Sequence, residues 1–428
     1  MTPTLLKREL GVLGAILMGL GSIVGTGVFV SLAIAAGIAG PAVILAVVMA
    51  AAVAICNGLS SAQLAASHAV SGGTYEYGYR YLNPWLGFTA GWLFLLAKSA
   101  SAATAALGFA GYLLNAIGLA DKGLLIPLAL ASVLGLTLVV LAGVQRSNQV
   151  NTAIVAVTLL SLGFFVIAGI KPLASAGLTN LTPFFRADHS LTAVFHASAL
   201  VFVAYTGYGR IATMGEEVRQ PRQTIPRAMT ITLVLTLVLY LAVVSVGVGA
   251  VGAANLSNAT SGAAPLEVAV RQFGILGGSQ ILAIGAITAM LGVLLNLILG
   301  LSRVLLAMGR RGDMPRQVAR LNQTGTAPSL AVVIMGVAIA LLVLSGNVKT
   351  TWSFSAFTVL VYYAITNLAA LRLPNSDRLY PRWVTWVGLA ASLFLAFWVE
   401  ADIWLGGLGL IAIGLLWKAG MGFLLPPE

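Results

Sequence analysis

The chain has 428 residues, of which 59% are hydrophobic and only 8% are charged, and its mean hydropathy is +0.98. A soluble domain of this length cannot bury so much apolar surface, so the composition predicts an integral membrane protein. The net charge of +11 does not indicate nucleic-acid binding, because the basic residues stand singly or in pairs at the ends of apolar runs.

The first apolar segment contains an unusual stretch from Gly14 to Ser31. It is long enough to cross a bilayer, yet small residues interrupt it at Gly25-Thr26-Gly27. Each glycine costs a helix interior roughly 1 kcal/mol relative to alanine, and freed backbone groups in lipid must face protein, ligand or water. We therefore predict a break near the membrane midplane, with N–H groups that can bind a carboxylate. The alternative is that the glycines only allow close helix packing.

Apolar segments of near-membrane length recur along the whole chain, and we count about twelve. They cover residues 12–37, 40–64, 85–117, 123–142, 150–170, 191–214, 228–252, 275–307, 328–345, 351–371, 383–399 and 402–420. An even number of spans places both termini on one side, and sixteen of the 23 lysines and arginines share that side. The opposite side receives only Lys122, Lys171, Arg186, Arg271 and Lys349. The positive-inside rule therefore predicts cytoplasmic termini.

The third segment carries a basic residue, Lys98, well inside its apolar run. A bare ammonium that faces lipid is costly, so Lys98 should face the interior of the helix bundle or a wet cavity. Burial disfavours the charged amine, so Lys98 can carry a proton or replace a bound cation. The alternative is a side chain that extends to the membrane interface.

The sixth segment is interrupted in the same manner as the first. Small and polar residues occur at mid-depth in Thr206-Gly207-Tyr208-Gly209, five spans after the first interruption. Interrupted segments at matching places in two halves are typical of transporters built from inverted repeats, which hold substrate where the interruptions face each other. Five spans and five more use the first ten segments, and the last two are an appendage.

Four motifs occur in a fixed order. The first segment contains GSIVGTGVF at 21–29, and the stretch 61–92 contains Gly-Gly-x-Tyr followed by Gly-Trp. GEEVRQPRQTIPRA follows the sixth segment at 215–228, and SRVLLAMGRRGDMP ends the eighth at 302–315. Together these motifs resemble those of the amino acid-polyamine-organocation (APC) permeases, over residues 7–330 approximately.

The resemblance implies an all-α integral membrane protein with about twelve transmembrane helices, a LeuT-type 5+5 inverted repeat and two additional C-terminal helices. A single transporter domain, residues 1–428, then contains the first repeat at 10–172, the second at 190–373 and the additional helices at 382–420. The resemblance also implies that the substrate carboxylate rests on the backbone amides of Ile23, Val24, Gly25, Thr26 and Gly27. The substrate ammonium is held by the backbone carbonyls of Val203, Ala204 and Thr206.

The groups that couple transport in relatives are replaced in this chain. Gly209 stands where many relatives have an acidic residue, Thr158 stands at the position of a coupling lysine, and Gln63 replaces a glutamate. The coupling ion, H⁺ or Na⁺, therefore stays open. Our candidates for coupling or gating are Lys98, Thr158, Tyr205, Tyr208, Arg210, Glu216 and Glu217.

Two of these candidates are linked by charge. Arg210 follows the second interruption and can select an anionic side chain, close a gate or pair with Glu216 or Glu217; we favour the pairing. For the rest of the pocket we take Asn296, Phe354 and Phe357 as trial residues.

The sequence thus predicts a permease and not an enzyme, in a bacterial-type cytoplasmic membrane, as a monomer or homodimer. No phosphate-binding Gly-x-x-x-x-Gly-Lys-Ser/Thr loop occurs, and three histidines and one cysteine are dispersed, so we expect no ATP hydrolysis, metal or other cofactor. The partners are the lipid bilayer and an amino acid, most simply a neutral one. Two alternatives stay open: acidic amino acids bound through Lys98 and Arg210, or a non-transporting membrane sensor or scaffold.

Overall fold

The fold is all-helical in the part of the chain that the structure describes. A computed structural model describes residues 10–69, 72–119, 122–143, 148–185, 190–213, 218–259, 264–322 and 327–424. These ranges contain α-helices with short 3-10 and π-helical turns, and no β-strand. Two predicted gating residues, Glu216 and Glu217, lie outside the described residues.

The helices follow one another with short connections. In chain order they are α1 Val12–Ile23, α2 Leu32–Ala39, α3 Val43–Ser67, α4 Thr74–Tyr81, α5 Pro84–Ala116, α6 Leu125–Leu141, α7 Asn148–Ala176, α8 Ser190–Tyr205, α9 Gly209–Ala212, α10 Pro221–Val251, α11 Ala253–Asn258, α12 Pro265–Gln272, α13 Gly278–Arg310, α14 Ser329–Val343, α15 Val348–Leu371, α16 Arg382–Ala396 and α17 Ala401–Leu424. The shorter turns are π-helical at Gly27–Ser31 and 3-10 at Gly40–Ala42, Lys122–Leu124, Thr179–Leu181, Thr206–Tyr208 and Arg316–Ala319.

Each of the twelve predicted apolar segments coincides with helix. Eight described stretches are long and apolar enough to cross a membrane, and the longest, Val12–Ser67, contains the first two predicted segments. Helices α6, α14 and α16 are apolar but shorter, and they cover the remaining three segments. The chain therefore has the helices of an integral membrane protein, while the number that span the bilayer stays a prediction.

The long helix α5 lies at the centre of the bundle, with α13 and α15 packed along it. Every residue of α5 from Ser99 to Ala106 is buried, and all of them are alanine, serine or threonine. Small side chains let neighbouring helices approach closely in a membrane protein. Helix α3 similarly packs against α8 and α10, so the interrupted helices α1 and α8 lie among well-packed neighbours.

The two C-terminal helices attach to the outside of this bundle in different ways. Helix α16 joins α3 and α15 through buried amides, because Asn57 Nδ2 donates to Ser392 Oγ at 2.9 Å and Asn367 Nδ2 donates to Asn57 Oδ1 at 2.6 Å. Helix α17 is mostly exposed and is anchored to α5 where Trp92 Nε1 donates to Leu410 O at 2.8 Å. Trp92 therefore belongs to this anchor.

Candidate functional site

The first interruption lies between α1 and the π-helical turn. Helix α1 ends at Ile23, Val24 takes an extended conformation (φ −82°, ψ 97°), and the turn begins at Gly27. Helical hydrogen bonding resumes at Gly25, whose carbonyl oxygen accepts from the N–H group of Phe29 at 3.2 Å. The helix is therefore interrupted where the glycines predict an interruption.

The second interruption is tighter than the sequence predicts. Helix α8 ends at Tyr205, the 3-10 turn Thr206–Tyr208 follows, and α9 begins at Gly209. Its residues keep right-handed helical dihedral angles, with φ −85° at Tyr205 and φ −53° at Gly209. The backbone therefore tightens into a 3-10 turn at this point, whereas at the first interruption it opens into an extended residue.

The two interruptions lie against each other, and glycine is needed on both sides of the contact. A Cβ atom on Gly207 would lie 2.3 Å from Ser22 O. A Cβ atom on Gly27 would lie 2.5 Å from Ala204 Cβ. Neither position has room for a larger residue without movement of the backbone. The glycines that interrupt the helices therefore also let them touch.

Tyr240, from helix α10, joins the two interruptions. Its hydroxyl oxygen lies 3.1 Å from the carbonyl oxygen of Ile23 and 3.0 Å from that of Ala204, and both are hydrogen-bond acceptors. Tyr240 is fully buried. One hydroxyl group thus serves the last carbonyl of α1 and a carbonyl near the end of α8, which would otherwise lack donors at these helix ends.

A small cavity of about 40 Å³ lies at this junction. The residues that line it come from the two interruptions and from α5, α13 and α15: Ser22, Ile23, Thr26, Gly27, Lys98, Ser101, Val203, Ala204, Thr206, Gly207, Val293, Leu297 and Trp352. Among these described residues there is no carboxylate. Six of the eight predicted substrate-binding residues therefore surround one cavity, and Val24 and Gly25 are not among the residues that line it.

Thr26 is the unsatisfied group of the first interruption. It lines the cavity, and its buried hydroxyl has no hydrogen-bond partner. In the described part of the chain, the backbone N–H groups of Gly25 and Thr26 have no carbonyl partner either. Val24 differs, because its N–H group donates to Leu20 O at 2.7 Å and is not free for a ligand. The donors available to an anion are thus centred on Thr26.

The carbonyl groups of the second interruption already have donors. Val203 O accepts from Thr206 Oγ1 at 2.8 Å, and Thr206 O accepts from Tyr363 Oη at 3.3 Å. Ala204 O is the group that Tyr240 contacts. A carbonyl oxygen has two lone pairs, so Val203 O and Ala204 O can each accept one further hydrogen bond, whereas Thr206 O already accepts a second one from the N–H group of Gly209.

Lys98 is the one cation among the described residues that line the cavity. Its Nζ atom donates to Thr206 Oγ1 at 2.9 Å, which joins α5 to the second interruption. The side chain therefore faces the interior of the bundle and does not extend to the membrane interface. Its role in coupling stays a prediction.

The remaining coupling and gating candidates lie outside the cavity lining. Thr158 on α7 donates to Ile154 O at 2.7 Å, within its own helix. The rings of Tyr205 and Tyr208 are buried and lie next to other tyrosine rings, with centroids 5.0 Å from Tyr240 and 5.3 Å from Tyr363 respectively.

Arg210 lies on α9, beyond the cavity. The acidic partners predicted for it, Glu216 and Glu217, are outside the described residues.

Sequence reasoning missed most of the side chains that complete the cavity. Helix α13 contributes Val293 and Leu297, whereas the trial residue Asn296 does not line it. Helix α15 contributes Trp352, whose Nε1 donates to Leu200 O at 2.8 Å, whereas Phe354 and Phe357 do not line it. Ser101 stands three residues after Lys98, so helical spacing from that lysine is the signal that could have found it.

Comparisons with known proteins agree with the composition and the motifs. Residues 14–426 match the family described as amino acid permease. Uncharacterized transporter Rv1999c of Mycobacterium tuberculosis is 39% identical over 412 residues, which are 96% of this chain and 91% of that protein. Branched-chain amino acid permease BcaP of Bacillus subtilis is 28% identical over 79% of this chain and 74% of its own length.

A plant relative is named for a different class of substrate. Cationic amino acid transporter 9 of Arabidopsis thaliana, a chloroplastic protein, is 29% identical over 74% of this chain and 58% of its own length. The family match covers nearly the whole chain and confirms the resemblance found in the motifs. The chain is a membrane transporter and not an enzyme, and it belongs to the amino acid permease family of the APC superfamily.

Proposed function

We propose that this protein transports neutral amino acids by alternating access, as a secondary active transporter or an exchanger. The observation that carries the proposal is the unpartnered group of donors around Thr26, which faces the carbonyl groups of α8 across one cavity. A zwitterion carries the two complementary charges at a short separation. Its binding therefore needs no charged side chain, only the ends of two helices.

The carboxylate end of the substrate lies on the first interruption in this proposal. The donors are the hydroxyl of Thr26 and the free N–H groups of Gly25 and Thr26. A hydrogen bond to a charged group contributes about 1.5–3 kcal/mol, more than one between neutral groups. The ammonium end lies on the carbonyl groups of Val203 and Ala204, which keep a second lone pair available, and beside Thr206, whose carbonyl oxygen already accepts from two donors.

The side-chain part of the cavity favours an apolar substrate. Val293, Leu297 and Trp352 contribute apolar surface from α13 and α15. The cavity measures about 40 Å³ in this structure, below the usual range for small-molecule sites, so the proposal requires it to widen around a substrate. The similarity to a branched-chain amino acid permease supports the same choice.

The proposed architecture has twelve spans, with residues 10–172 and 190–373 as inverted repeats of five, residues 382–420 as two additional helices, and both termini in the cytoplasm. Two observations support it. Eight spanning-length stretches and three shorter apolar helices coincide with the predicted segments. The two helices that are interrupted, α1 and α8, begin the two proposed repeats and meet at their interruptions.

The experiment is a binding and transport assay on the purified protein. The twenty amino acids are screened by thermal shift in detergent, and the best ligands are then tested by counterflow in proteoliposomes. We expect saturable counterflow of neutral, apolar amino acids that is absent from empty vesicles. Binding without flux for every ligand would instead favour a membrane sensor with this fold.

A second candidate substrate class has a specific observation in its favour. Lys98 lines the cavity, and no carboxylate among the described lining residues balances its charge. An acidic amino acid would supply that balance with its side-chain carboxylate. The variant Lys98→Met discriminates between the two classes: it abolishes transport of acidic amino acids if they are the substrates, and it preserves binding of neutral ones otherwise.

A further inference from the structure

The short helix α12 lies outside the spanning helices and carries a fully buried carboxylate, Glu267. One carboxylate oxygen, Oε1, accepts from Arg271 Nη2 at 3.0 Å, one helical turn away. The other oxygen, Oε2, is buried and has no hydrogen-bond partner among the described residues. The side chain of Arg271 is 49% exposed, so its charge is shared with solvent. A buried carboxylate with a single half-exposed partner is poorly compensated when ionised.

Burial raises the pKa of the Glu267 carboxyl to about 7, and the hydrogen bond from Arg271 only partly opposes this rise. The protonated carboxyl carries no charge, so its burial does not cost the desolvation energy of an ion. Near neutral pH the group is therefore poised between the two forms.

Helix α12 is joined to the first helix through a tyrosine. Tyr112, at the end of α5, donates to Phe29 O at 2.8 Å and accepts from the N–H group of Leu266 at 3.3 Å. Phe29 belongs to the π-helical turn that follows the first interruption. Arg271 also donates to Asn115 O of α5 at 2.9 Å. The residue next to Glu267 in the chain thus holds α12 against the half of the first helix that follows the interruption.

Few other charges approach this carboxylate. The elements that contact α12 are α5, α7, α10, α11, α13 and the π-helical turn. Their charged residues are Lys98, Lys171, Arg222, Arg227, Arg303 and Arg310. Lys98 precedes Tyr112 by fourteen residues of α5, a distance of about 20 Å along the helix. Each of the four arginines is at least twenty residues from the end of its helix that meets α12, a distance of about 30 Å. Lys171 is exposed, and in the described chain Arg271 alone is within ion-pairing distance, with Tyr112 as the other titratable neighbour.

We propose that Glu267 is a proton-binding site that controls the contact between α12 and the first helix. The protonated carboxyl allows α12 to stay buried, as it is in this structure. Ionisation favours exposure of the carboxylate to water, which moves α12 away from Tyr112 and frees the π-helical turn. The pH on the side of the membrane where α12 lies would then set how often the π-helical turn is released from its contact with α12.

The proton site itself is tested without any transport assay, by thermal unfolding of the purified protein. The native carboxyl has a higher pKa than the value of about 4.3 expected in the unfolded chain. The native state then binds more protons between these values, so stability should fall as the pH rises through that window to about 7. We expect Glu267→Gln to remove this slope, and a slope that persists unchanged in the variant would overturn the proposal.

Glu76→Gln is the matched control, because Glu76 is also a glutamate paired with an arginine, Arg311, at 2.5 Å. This control should keep the slope of the native protein. If Glu76→Gln removes the slope as well, the effect is not specific to Glu267 and the proposal fails.

The movement is tested by the reactivity of a buried thiol. Ser31 on the π-helical turn is fully buried, and Cys56 is the one cysteine of the chain, so Ser31→Cys in a Cys56→Ala background gives a single reporter. Maleimide labelling is measured relative to the unfolded protein at the same pH. We expect labelling to increase several-fold as the pH rises through neutrality, and to stay low with Glu267→Gln. Equal labelling at all pH values would overturn the proposal, whether or not the protein transports amino acids.

Discussion

The two helix interruptions perform similar tasks with opposite backbone chemistry. The first opens into an extended residue and leaves N–H groups and the Thr26 hydroxyl without partners. The second tightens into a 3-10 turn, and Val203, Ala204 and Thr206 all have donors for their carbonyl groups. In this structure the backbone and hydroxyl donors proposed for a substrate carboxylate (the anion side of the site) are therefore free. The carbonyl groups proposed for a substrate ammonium (the cation side) already accept hydrogen bonds from the protein.

This difference has a simple origin in hydrogen-bonding capacity. An N–H group has one hydrogen, so it is either free or used, whereas a carbonyl oxygen can accept from two donors at once. Tyr240 can therefore stabilise the second interruption and leave Ala204 O able to accept again, whereas Tyr363 and the N–H group of Gly209 together fill Thr206 O. A substrate ammonium would join the hydroxyl group of Tyr240 at Ala204 O, while a substrate carboxylate would meet donors that nothing else uses.

The largest effect is expected from forcing the two interruptions apart. In Gly207→Ala the new Cβ atom would lie 2.3 Å from Ser22 O, a backbone atom that cannot swing away. Overpacking of this kind costs about 1–3 kcal/mol, so substrate affinity should fall by about 5- to 150-fold. Gly163→Ala, where a Cβ atom meets nothing within 4 Å, should bind normally in the same thermal-shift titration. Normal binding by both variants would show that substrate binding does not depend on the contact between the two interruptions.

A smaller effect is expected from removal of the free hydroxyl alone. Thr26→Val keeps the shape of the side chain and deletes one donor to the substrate carboxylate. We expect the Kd to rise about tenfold, as for the loss of one charged hydrogen bond. Thr230→Val is the control, because the hydroxyl of Thr230 is used within its own helix, donating to Pro226 O at 2.9 Å. An unchanged Kd for Thr26→Val would show that the hydroxyl of Thr26 does not bind the substrate carboxylate.

A third prediction tests whether Lys98, which donates to Thr206 in the second interruption, carries a coupled proton. In Lys98→Met the hydrogen bond to Thr206 Oγ1 is lost, and so is the one charge that lines the described cavity. If Lys98 carries the coupled proton, we expect the counterflow rate of the native protein to change several-fold between acidic and alkaline buffers, and that of the variant to stay constant while substrate still binds. A pH profile identical to that of the native protein would exclude Lys98 from coupling.

The smallest effect is expected from loosening the junction without widening it. Tyr240→Phe removes the hydroxyl shared by Ile23 O and Ala204 O. The loss should cost about 1 kcal/mol of unfolding free energy, the usual net value of one hydrogen bond. Chemical unfolding in detergent measures it, with Tyr380→Phe at the half-exposed end of the bundle as a comparison. Greater loss in Tyr380→Phe than in Tyr240→Phe would contradict the role given to Tyr240.

Much of the fold could be predicted because membrane helices are recognisable from the length of their apolar segments. All twelve predicted segments coincide with helix, and the interruption at Gly25 follows from glycine in a lipid-spanning run. The form of the second interruption could not be predicted, because Gly207 permits both an open gap and a tight turn. The choice depends on what surrounds it, here Ser22 on one side and Tyr363 on the other.

The residues that complete the cavity were harder to predict for a related reason. Val293 and Leu297 look like every other aliphatic residue of an apolar helix, and in lipid both faces of such a helix are apolar. Tyr240 is a single aromatic residue in a span, with no neighbour in sequence that indicates a partner. Lys98 was the exception, because a charge within an apolar run must find the interior.

The central claim is that main-chain ends of two helices hold the two charges of one substrate, and ligand binding by calorimetry tests it most directly. The ligands are the best neutral amino acid, its amide without the carboxylate, and its analogue without the amino group. We expect both analogues to bind more weakly than the amino acid, and the amide to be the weaker of the two. We also expect Thr26→Val to narrow the difference in affinity between the amino acid and its amide. An amide that binds as well as the amino acid would contradict the account.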